Sequence, residues 1–477
     1  MSDASTIFAL SSGSGRAGVA VIRVSGPAAR TVIERVAAPV PKPRQVAFRT
    51  IRHPATGDAI DKAVVFWFAG PASETGEDVA ELQLHGGRAV VRAALDALAK
   101  IDGCRLAEPG EFARRAFLNG KLDLAEVEGL ADLVEAETEA QRRQALAQAG
   151  GSLSRLYEDW RARLIEIAGL TEAAIDFADE GDVGSGALAE GRRRAAPLRD
   201  EIARHLADGH RGEIVRDGFR VALLGPPNAG KSTLLNALAR REAAIVSAEA
   251  GTTRDVIEVR LDLAGYPVVV SDTAGLRETS SDVEREGVRR SMEAAGAADL
   301  VLWLSETGKA PRPPEISRET SLDVRTKSDL TAVESAELAS ALGERRPRSG
   351  GEGAVEDARN VESALSLTQA LSPMGEEVIE ISARTGEGLD RLISEIAVRC
   401  KAAVGDDVSP ALTQARHRHA LEQASVALKD FLIGDASEPE FRAEDVRRAA
   451  SAIGRITGRV DVEDVLDQIF SRFCIGK

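Results

Sequence analysis

The residues best suited to chemistry fall in short segments that follow one another in a fixed order. Gly225-Pro-Pro-Asn-Ala-Gly230-Lys231-Ser232 meets the G-x-x-x-x-G-K-[ST] spacing, after the apolar run Phe219–Leu224 and before a helix over Thr233–Leu238. Glycines in such a loop let backbone N–H groups curl around a β-phosphate at a helix N-terminus. Lys231 then reaches the β/γ oxygens and the Ser232 hydroxyl can ligate Mg²⁺. The phosphate-facing set is Asn228, Ala229, Gly230, Lys231, Ser232 and Thr233. Gly251-Thr252-Thr253-Arg254-Asp255 precedes a second strand, where a GTPase switch offers a Thr hydroxyl to Mg²⁺ and an N–H to the γ-phosphate; Thr253 is the candidate. Asp272-Thr273-Ala274-Gly275 closes a further strand, placing a carboxylate near Mg²⁺ through water and a Gly amide beside the γ-phosphate.

Base choice is assigned to Thr326-Lys327-Ser328-Asp329 and Ser382-Ala383-Arg384. The Asp329 carboxylate can accept from guanine N1–H and the exocyclic amine, whereas adenine leaves it unpaired, so GTP is expected rather than ATP. Thr326 stands where the N-K-x-D pattern has Asn, a departure expected to weaken the brace between this loop and the P-loop more than the base preference. After Gly275, where Ras-like enzymes carry a water-positioning Gln, this chain has Leu276, which cannot orient water. Glu278, Asp282, Glu284 and Glu286 are the acids at hand, and physical reading alone does not choose among them.

Positioning these loops takes β-type runs at Phe219–Leu224, Val256–Leu261, Val268–Ser271, Asp299–Leu304 and Val378–Ser382, alternating with helical stretches, which implies a parallel sheet covered by helices. The stretch 331–376 reads as an insertion, a disordered spacer. Ahead of this domain, short apolar runs at Val19–Val24, Ala63–Phe68 and Val79–Leu84 with a helix over Val90–Ala99 predict a small α+β domain. From Lys121 the composition turns to Ala, Leu, Glu and Arg. Leu122, Val127, Leu130, Leu133 and Val134 are expected on one helix face, with a break at Gly150–Gly151. Helical composition returns at Leu412–Leu432, Phe441–Ile453 and Val462–Phe473. The expected architecture is multidomain α/β and α: a small α+β N-terminal domain over 1–119, a helical domain over 120–217 and 401–477, and a P-loop GTPase (Ras-like) α/β domain inserted at 218–400.

Bulk properties exclude several alternatives. With 61 Lys and Arg against 76 Asp and Glu, the net charge of −15 opposes broad adhesion to a nucleic-acid backbone, so RNA contact should be local or shared with a partner. Cys104, Cys400 and Cys474 lack disulfide or metal-ligand spacing, which fits a reducing cytoplasm. No apolar run approaches the ~20 residues needed to span a bilayer. Two Tyr and three Trp are too few for an array of base-stacking platforms.

The flanks are more specific than the GTPase motifs. Thr6-Ile-Phe-Ala-Leu-Ser-Ser, Gly15-Arg-Ala-Gly-Val-Ala-Val-Ile-Arg23-Val-Ser-Gly26, Thr75-Gly-Glu-Asp-Val-Ala-Glu81-Leu-Gln-Leu-His-Gly-Gly87, Pro109-Gly-Glu-Phe-Ala-Arg-Arg-Ala-Phe-Leu-Asn-Gly-Lys121-Leu-Asp and Phe473-Cys-Ile-Gly-Lys477 occur in one order on both sides of the nucleotide motifs. In these the chain resembles the tRNA wobble-uridine modification GTPase family MnmE, also called TrmE. The resemblance implies an N-terminal domain that dimerises and binds a 5-formyl- or 5,10-methylene-tetrahydrofolate, with Arg23, Glu81, Lys121 and Lys477 as its contacts. A carboxylate suits the pterin's amine donors and cations suit the glutamate tail. It implies a K⁺ site from Asn228, Ser247, the Glu249 backbone and Thr252, within a nucleotide loop that also includes Ala248, Ala250 and Gly251. It makes Glu284 the water-orienting, catalytic residue. It further implies a homodimer working with an FAD-dependent MnmG (GidA) subunit, which holds most of the tRNA, to install a 5-carboxymethylaminomethyl or 5-aminomethyl group on the wobble uridine. Cys474 receives no catalytic assignment. The competing reading is a ribosome-assembly or signalling switch GTPase that leaves RNA covalently unchanged.

Overall fold

The structure is a computed structural model that describes residues 5–13, 15–177, 181–241, 257–272, 293, 295–306, 311–330, 378–405, 411–460, 463–471 and 473–476. The chain divides into two compact units. The first comprises Met1–Glu135, Arg143–Gly209 and Pro410–Lys477, the second Ala136–Arg142 and His210–Ser409.

The first unit opens with β1 (Thr6–Leu10), β2 (Ala17–Ser25), α1 (Ala29–Val36), β3 (Ala47–Arg52), β4 (Ala59–Phe68), β5 (Val79–Gly86), α2 (Arg88–Leu98), β6 (Cys104–Leu106) and α3 (Glu111–Leu118). The strands form one sheet in the order β3-β4-β5-β2-β1-β6, antiparallel except for the parallel pair β1 and β6. Alternate residues Ile22 and Val24 of β2, and Leu82 and Leu84 of β5, bury one face against Val32 and Ile33 of α1 and Ala94 and Leu98 of α2. The strands β1, β3 and β6 are additions to the sequence reading.

Helices follow: α4 (Leu124–Glu135), α5 (Glu139–Ala149), α6 (Ser152–Asp176) and α7 (Gly181–Asp217). The break at Gly150–Gly151 falls between α5 and α6 as expected. Of the residues expected on one helix face, Leu122 precedes α4 and is half-buried, Val127 is buried, Leu130 and Leu133 are half-buried and Val134 is exposed; Leu124, Glu128 and Gly129 are buried as well. Glu128 is drawn inward by Arg416, whose Nη2 donates to Glu128 Oε2 at 2.7 Å, and by His417, whose Nε2 lies 2.8 Å from the same oxygen.

The second unit holds β7 (Phe219–Leu224), α8 (Lys231–Arg241), β8 (Ile257–Leu263), β9 (Tyr266–Asp272), β10 (Leu300–Glu306), β11 (Ser321–Thr326), β12 (Val378–Glu380) and α9 (Leu389–Val404). The sheet order is β12-β11-β10-β7-β9-β8, with β8 antiparallel to β9 and every other pairing parallel. Val221, Leu223, Val268, Val270, Leu302 and Leu304 pack with Leu234 and Leu238 of α8 and Leu392 and Ile396 of α9. Strand β11 was not among the expected runs. Its Leu322 and Val324 are buried, but Asp323 and Arg325 interrupt the apolar signal and are engaged by Arg312 at 3.4 Å and Glu380 at 3.0 Å. The expected insertion at 331–376 lies outside the described residues.

The chain returns to the first unit as α10 (Ala415–Ile433), α11 (Pro439–Thr457) and α12 (Glu463–Phe470). Leu153, Tyr157, Trp160, Leu164 and Ile167 recur every three or four positions along α6, so they share one stripe. They pack with Leu198 and Ile202 of α7, Leu421 and Phe431 of α10, and Val446 and Ile453 of α11. Leu466, Ile469 and Phe470 of α12 cluster with Ala113 of α3 and Leu124 and Val127 of α4.

Candidate functional site

The loop between β7 and α8 is shaped by backbone that few residues tolerate. Gly225 has φ +148°, and a Cβ there would stand 2.2 Å from the Leu304 carbonyl oxygen of β10, so only glycine fits. Asn228 and Gly230 also have positive φ, +64° and +92°, which bends the loop toward the first turn of α8. Lys231 Nζ donates to the carbonyl oxygens of Gly225 at 2.7 Å and Pro226 at 3.0 Å, across the mouth of the loop. Burial lowers the Lys231 pKa, opposed by the Asp272 charge. Asp272 ends β9 fully buried, and Ser232 Oγ donates to its Oδ2 at 2.5 Å. A hydroxyl and a carboxylate thus converge on one point beside a helix N-terminus, a hard-oxygen donor set that fits Mg²⁺. Asn228 and Thr233 are exposed, and Ala229 is buried under the loop.

The two segments expected to read the base follow neighbouring parallel strands, because β11 pairs with β12 in the register Arg325 to Glu380. The Ser328 N–H donates to the Ile381 carbonyl at 3.2 Å, which joins the two loops. Thr326 is 4% exposed, and its hydroxyl donates to the Ala229 carbonyl of the P-loop at 2.8 Å. The brace in which Asn was expected therefore consists of one buried hydrogen bond from a Thr. Lys327 adopts φ +63°, with its Nζ 3.3 Å from Glu306 Oε1. Asp329 and Ala383 are half-buried, Ser382 is buried and Arg384 exposed. Ser382 closes a turn by donating its N–H to the Glu387 carbonyl at 2.9 Å. Ser247, Ala248, Glu249, Ala250, Gly251, Thr252, Thr253, Thr273, Ala274, Gly275, Glu284 and Lys477 lie outside the described residues, as do Glu278, Asp282 and Glu286.

A second polar centre lies on the sheet of the first unit. Arg23 and Glu81 face each other across the β2–β5 pairing, with Arg23 Nε donating to Glu81 Oε1 at 3.2 Å and Arg23 Nη1 2.8 Å from Glu74 Oε2. Lys121 approaches the loop before β5: its Cε would be 3.4 Å from a Cβ placed on Gly76. Beside this loop the sequence reading missed a network. The nearly buried Arg115 lies 3.1 Å from Glu77 Oε2 and 2.9 Å from Glu111 Oε1, while Ser25 Oγ donates to Glu77 Oε2 at 2.7 Å. Burial raises the Glu111 carboxyl, but bonds from Arg105, the Glu108 N–H and Arg115 bring it below the usual range. The i,i+4 spacing of Glu111 and Arg115 was the one local signal for it. The C-terminal segment is tied down nearby, with Ile475 bridged to Pro109 and Gly476 against the Leu10 carbonyl. Cys474 is exposed.

Residues 6–121 match the family of the GTP-binding protein TrmE N-terminus, and residues 124–474 match the MnmE helical domain family. The tRNA modification GTPase MnmE of Azorhizobium caulinodans is 50% identical over 473 residues, covering 99% of both chains. The chain belongs to the MnmE family of tRNA modification GTPases. Its MnmE relatives in Methylobacterium radiotolerans and Rhodospirillum rubrum are each 48% identical, over 100% of both chains and 99% of both chains respectively. As an MnmE-family member the chain binds and hydrolyses GTP, and its activity belongs to tRNA modification. Among the described residues no helix is long and apolar enough to cross a membrane.

Proposed function

We propose that this chain is a potassium-assisted GTP hydrolase of the cytoplasm. In this reading it acts as a homodimer with an FAD-dependent subunit of the MnmG (GidA) kind, which holds most of the tRNA. Together they install a 5-carboxymethylaminomethyl or 5-aminomethyl group on C5 of the wobble uridine of certain tRNAs, with tetrahydrofolate as carbon donor. The observation that carries the reading is the pairing, in one MnmE-family chain, of two polar centres on different sheets: Lys231, Ser232 and Asp272 on one, Arg23 with Glu81 on the other.

In the nucleotide site, Lys231 and the loop amides would bind phosphate, and Asp329 would read guanine with Ser382, Ala383 and Arg384 lining its pocket. Ser232 and Thr253 would hold Mg²⁺, with Asp272 beyond them. Asn228, Ser247, Thr252 and the Glu249 carbonyl would hold K⁺. A bound cation supplies positive charge where the phosphoryl oxygens accumulate negative charge. Glu284 would orient the attacking water, the task Leu276 cannot perform. At the other centre, Glu81 would accept the pterin's amine donors, and Arg23, Lys121 and Lys477 would meet carboxylates.

The test is steady-state GTP hydrolysis by the purified chain in KCl and NaCl at equal ionic strength, paired with equilibrium binding of 5-formyl-tetrahydrofolate. Selective stimulation by K⁺ together with saturable folate binding supports the reading. Equal slow rates in the two salts would remove the potassium site. Absence of folate binding would favour a switch GTPase that leaves RNA unchanged.

A further inference from the structure

The segment Ser73-Glu74-Thr75-Gly76-Glu77-Asp78, between β4 and β5, carries no large apolar side chain. It has no hydrophobic burial to offset the entropy lost in ordering it, so polar bonds must hold it in place. The Ser25 hydroxyl donates to Glu77 Oε2 at 2.7 Å and, its one proton spent, accepts from the Thr75 hydroxyl at 2.7 Å. Ser25 and Thr75 are both fully buried. Arg115, 7% exposed, places Nη1 3.1 Å from Glu77 Oε2, and the same nitrogen donates to the Ser5 carbonyl at 2.9 Å. Asn119 Nδ2 donates to the Thr75 carbonyl at 2.8 Å. The Gly76 backbone, at φ +78°, passes so near that a Cβ there would stand 2.9 Å from Asn119 Cβ.

These bonds anchor the loop beside the cations proposed to meet the folate. Ser25 follows Arg23 by two residues on β2, which puts both side chains on one face of the strand. Asn119 precedes Lys121 by two, and Lys121 Cε lies 3.4 Å from that same Cβ position on Gly76. The loop sends Glu74 Oε2 to 2.8 Å from Arg23 Nη1 and then leads into β5, whose Glu81 accepts from Arg23 Nε at 3.2 Å. Helix α3 supplies Arg115 and also Phe112, whose buried ring has its centroid 5.8 Å from Arg23 Cζ. The loop is therefore tied on one side to the strand that bears Arg23 and on the other to the chain that bears Lys121.

We propose that Glu77 is a positioning residue of the folate centre: bonded to Ser25 and Arg115, it locks the Ser73–Asp78 loop between β2 and the end of α3, and so sets the spacing of Arg23 and Lys121 that the ligand must match. This rests on the reading of Arg23, Glu81 and Lys121 as that centre. Glu77 acts through those residues and not on the ligand. Thr75 and Asn119 complete the lock.

Isothermal titration of 5-formyl-tetrahydrofolate into the full chain tests it. Glu77→Gln keeps the shape but turns an NH₂ group toward a donor, either Ser25 or Arg115, so the loop loosens and affinity should fall about tenfold. Asn119 is exposed, so its truncation does not threaten the fold; Asn119→Ala removes the bond to Thr75 and should lower affinity about three- to fivefold. In a Lys121→Ala background the tenfold loss from Glu77→Gln should shrink to about threefold or less, because one of the residues it positions is gone. A merely structural role would cost the same factor with or without Lys121. Equal losses in the two backgrounds overturn the proposal and leave the folate reading standing, and so does wild-type affinity in both Glu77→Gln and Asn119→Ala. Absence of saturable binding by the wild type overturns both.

Discussion

Ser232 Oγ donates to Asp272 Oδ2 at 2.5 Å, which joins the first turn of α8 to the end of β9. Asp272 is fully buried, and a buried carboxylate that loses a donor costs about 1–3 kcal/mol or more. Ser232→Ala should therefore both lower the melting temperature of the nucleotide-free chain and reduce GTP hydrolysis in Mg²⁺ by about 100-fold or more, as loss of a charge-positioning group does. Steady-state kinetics and thermal unfolding on one preparation check it. Unchanged hydrolysis with lowered stability would leave the pair a purely structural contact.

Thr326 ties the loop proposed to read guanine to the loop between β7 and α8 through its bond to the Ala229 carbonyl. Thr326→Val keeps the shape and removes the donor, leaving a buried carbonyl without it, so nucleotide affinity should fall by about 5–30-fold. Thr326→Ser retains a hydroxyl and should stay within about threefold of wild type. Titration with a fluorescent GDP analogue reads both. A fall with Ser as large as with Val would mean the methyl packing, not the bond, carries the effect.

The contrast between Thr326 and Glu128 shows what the sequence could and could not reveal. The strand–loop–helix of β7 and α8 and the strand that ends on Asp272 were legible because fixed spacing between a strand and a helix leaves few alternatives. Strand β11, which delivers Thr326, was not, since Asp323 and Arg325 break its apolar run and find partners only in the folded sheet. The burial of Glu128 in α4 was not legible for a similar reason: its partners, Arg416 and His417, arrive from beyond the GTPase unit. Arg115 with Glu77, and Ala140 with Gly265, are likewise long-range pairings that no local periodicity encodes.

Acid should destabilise the first unit in two steps. Burial, reinforced by the nearby His417, pushes the His205 pKa down to about 4, and its Nε2 lies 3.2 Å from the Tyr157 hydroxyl. Between that value and the unfolded value near 6.5 the unfolded chain binds the extra proton, so stability falls as pH drops through this window. The loss is about 2 kcal/mol from pH 7.5 to pH 5. Glu128 acts lower: burial alone would raise its carboxyl, but the charges of His417 and Arg416 outweigh it and hold the pKa down at about 2. The contribution of Glu128 is therefore whole above about pH 4.5 and disappears toward pH 2. Urea unfolding followed by the fluorescence of Trp160, whose ring lies 5.4 Å from that of His205, should show the first slope. His205→Gln, which can still accept from Tyr157, should reduce the slope without abolishing it, because burial also lowers the pKa of His417; an unchanged slope would assign the proton to His417.

Gly476 has φ +102°, and a Cβ there would stand 2.3 Å from the Leu10 carbonyl oxygen. Leu10 ends β1, the strand next to the one that carries Arg23, so Gly476 packs against the neighbour of the strand that holds the Arg23–Glu81 pair. Gly476→Ala cannot keep both the dihedral and the contact, so the segment after the Pro109–Ile475 bridge must move. If the terminal residue contributes a cation to a folate carboxylate, 5-formyl-tetrahydrofolate affinity should fall by about tenfold or more, the worth of one charge-assisted hydrogen bond. GTP hydrolysis should remain within about twofold, because the substitution touches no residue of the second unit. Isothermal titration with the folate, alongside a GTPase assay, separates the outcomes. Folate affinity equal to wild type in Gly476→Ala would place the C-terminal segment outside that site, and equal loss of both activities would mean the tail holds the whole fold rather than one ligand.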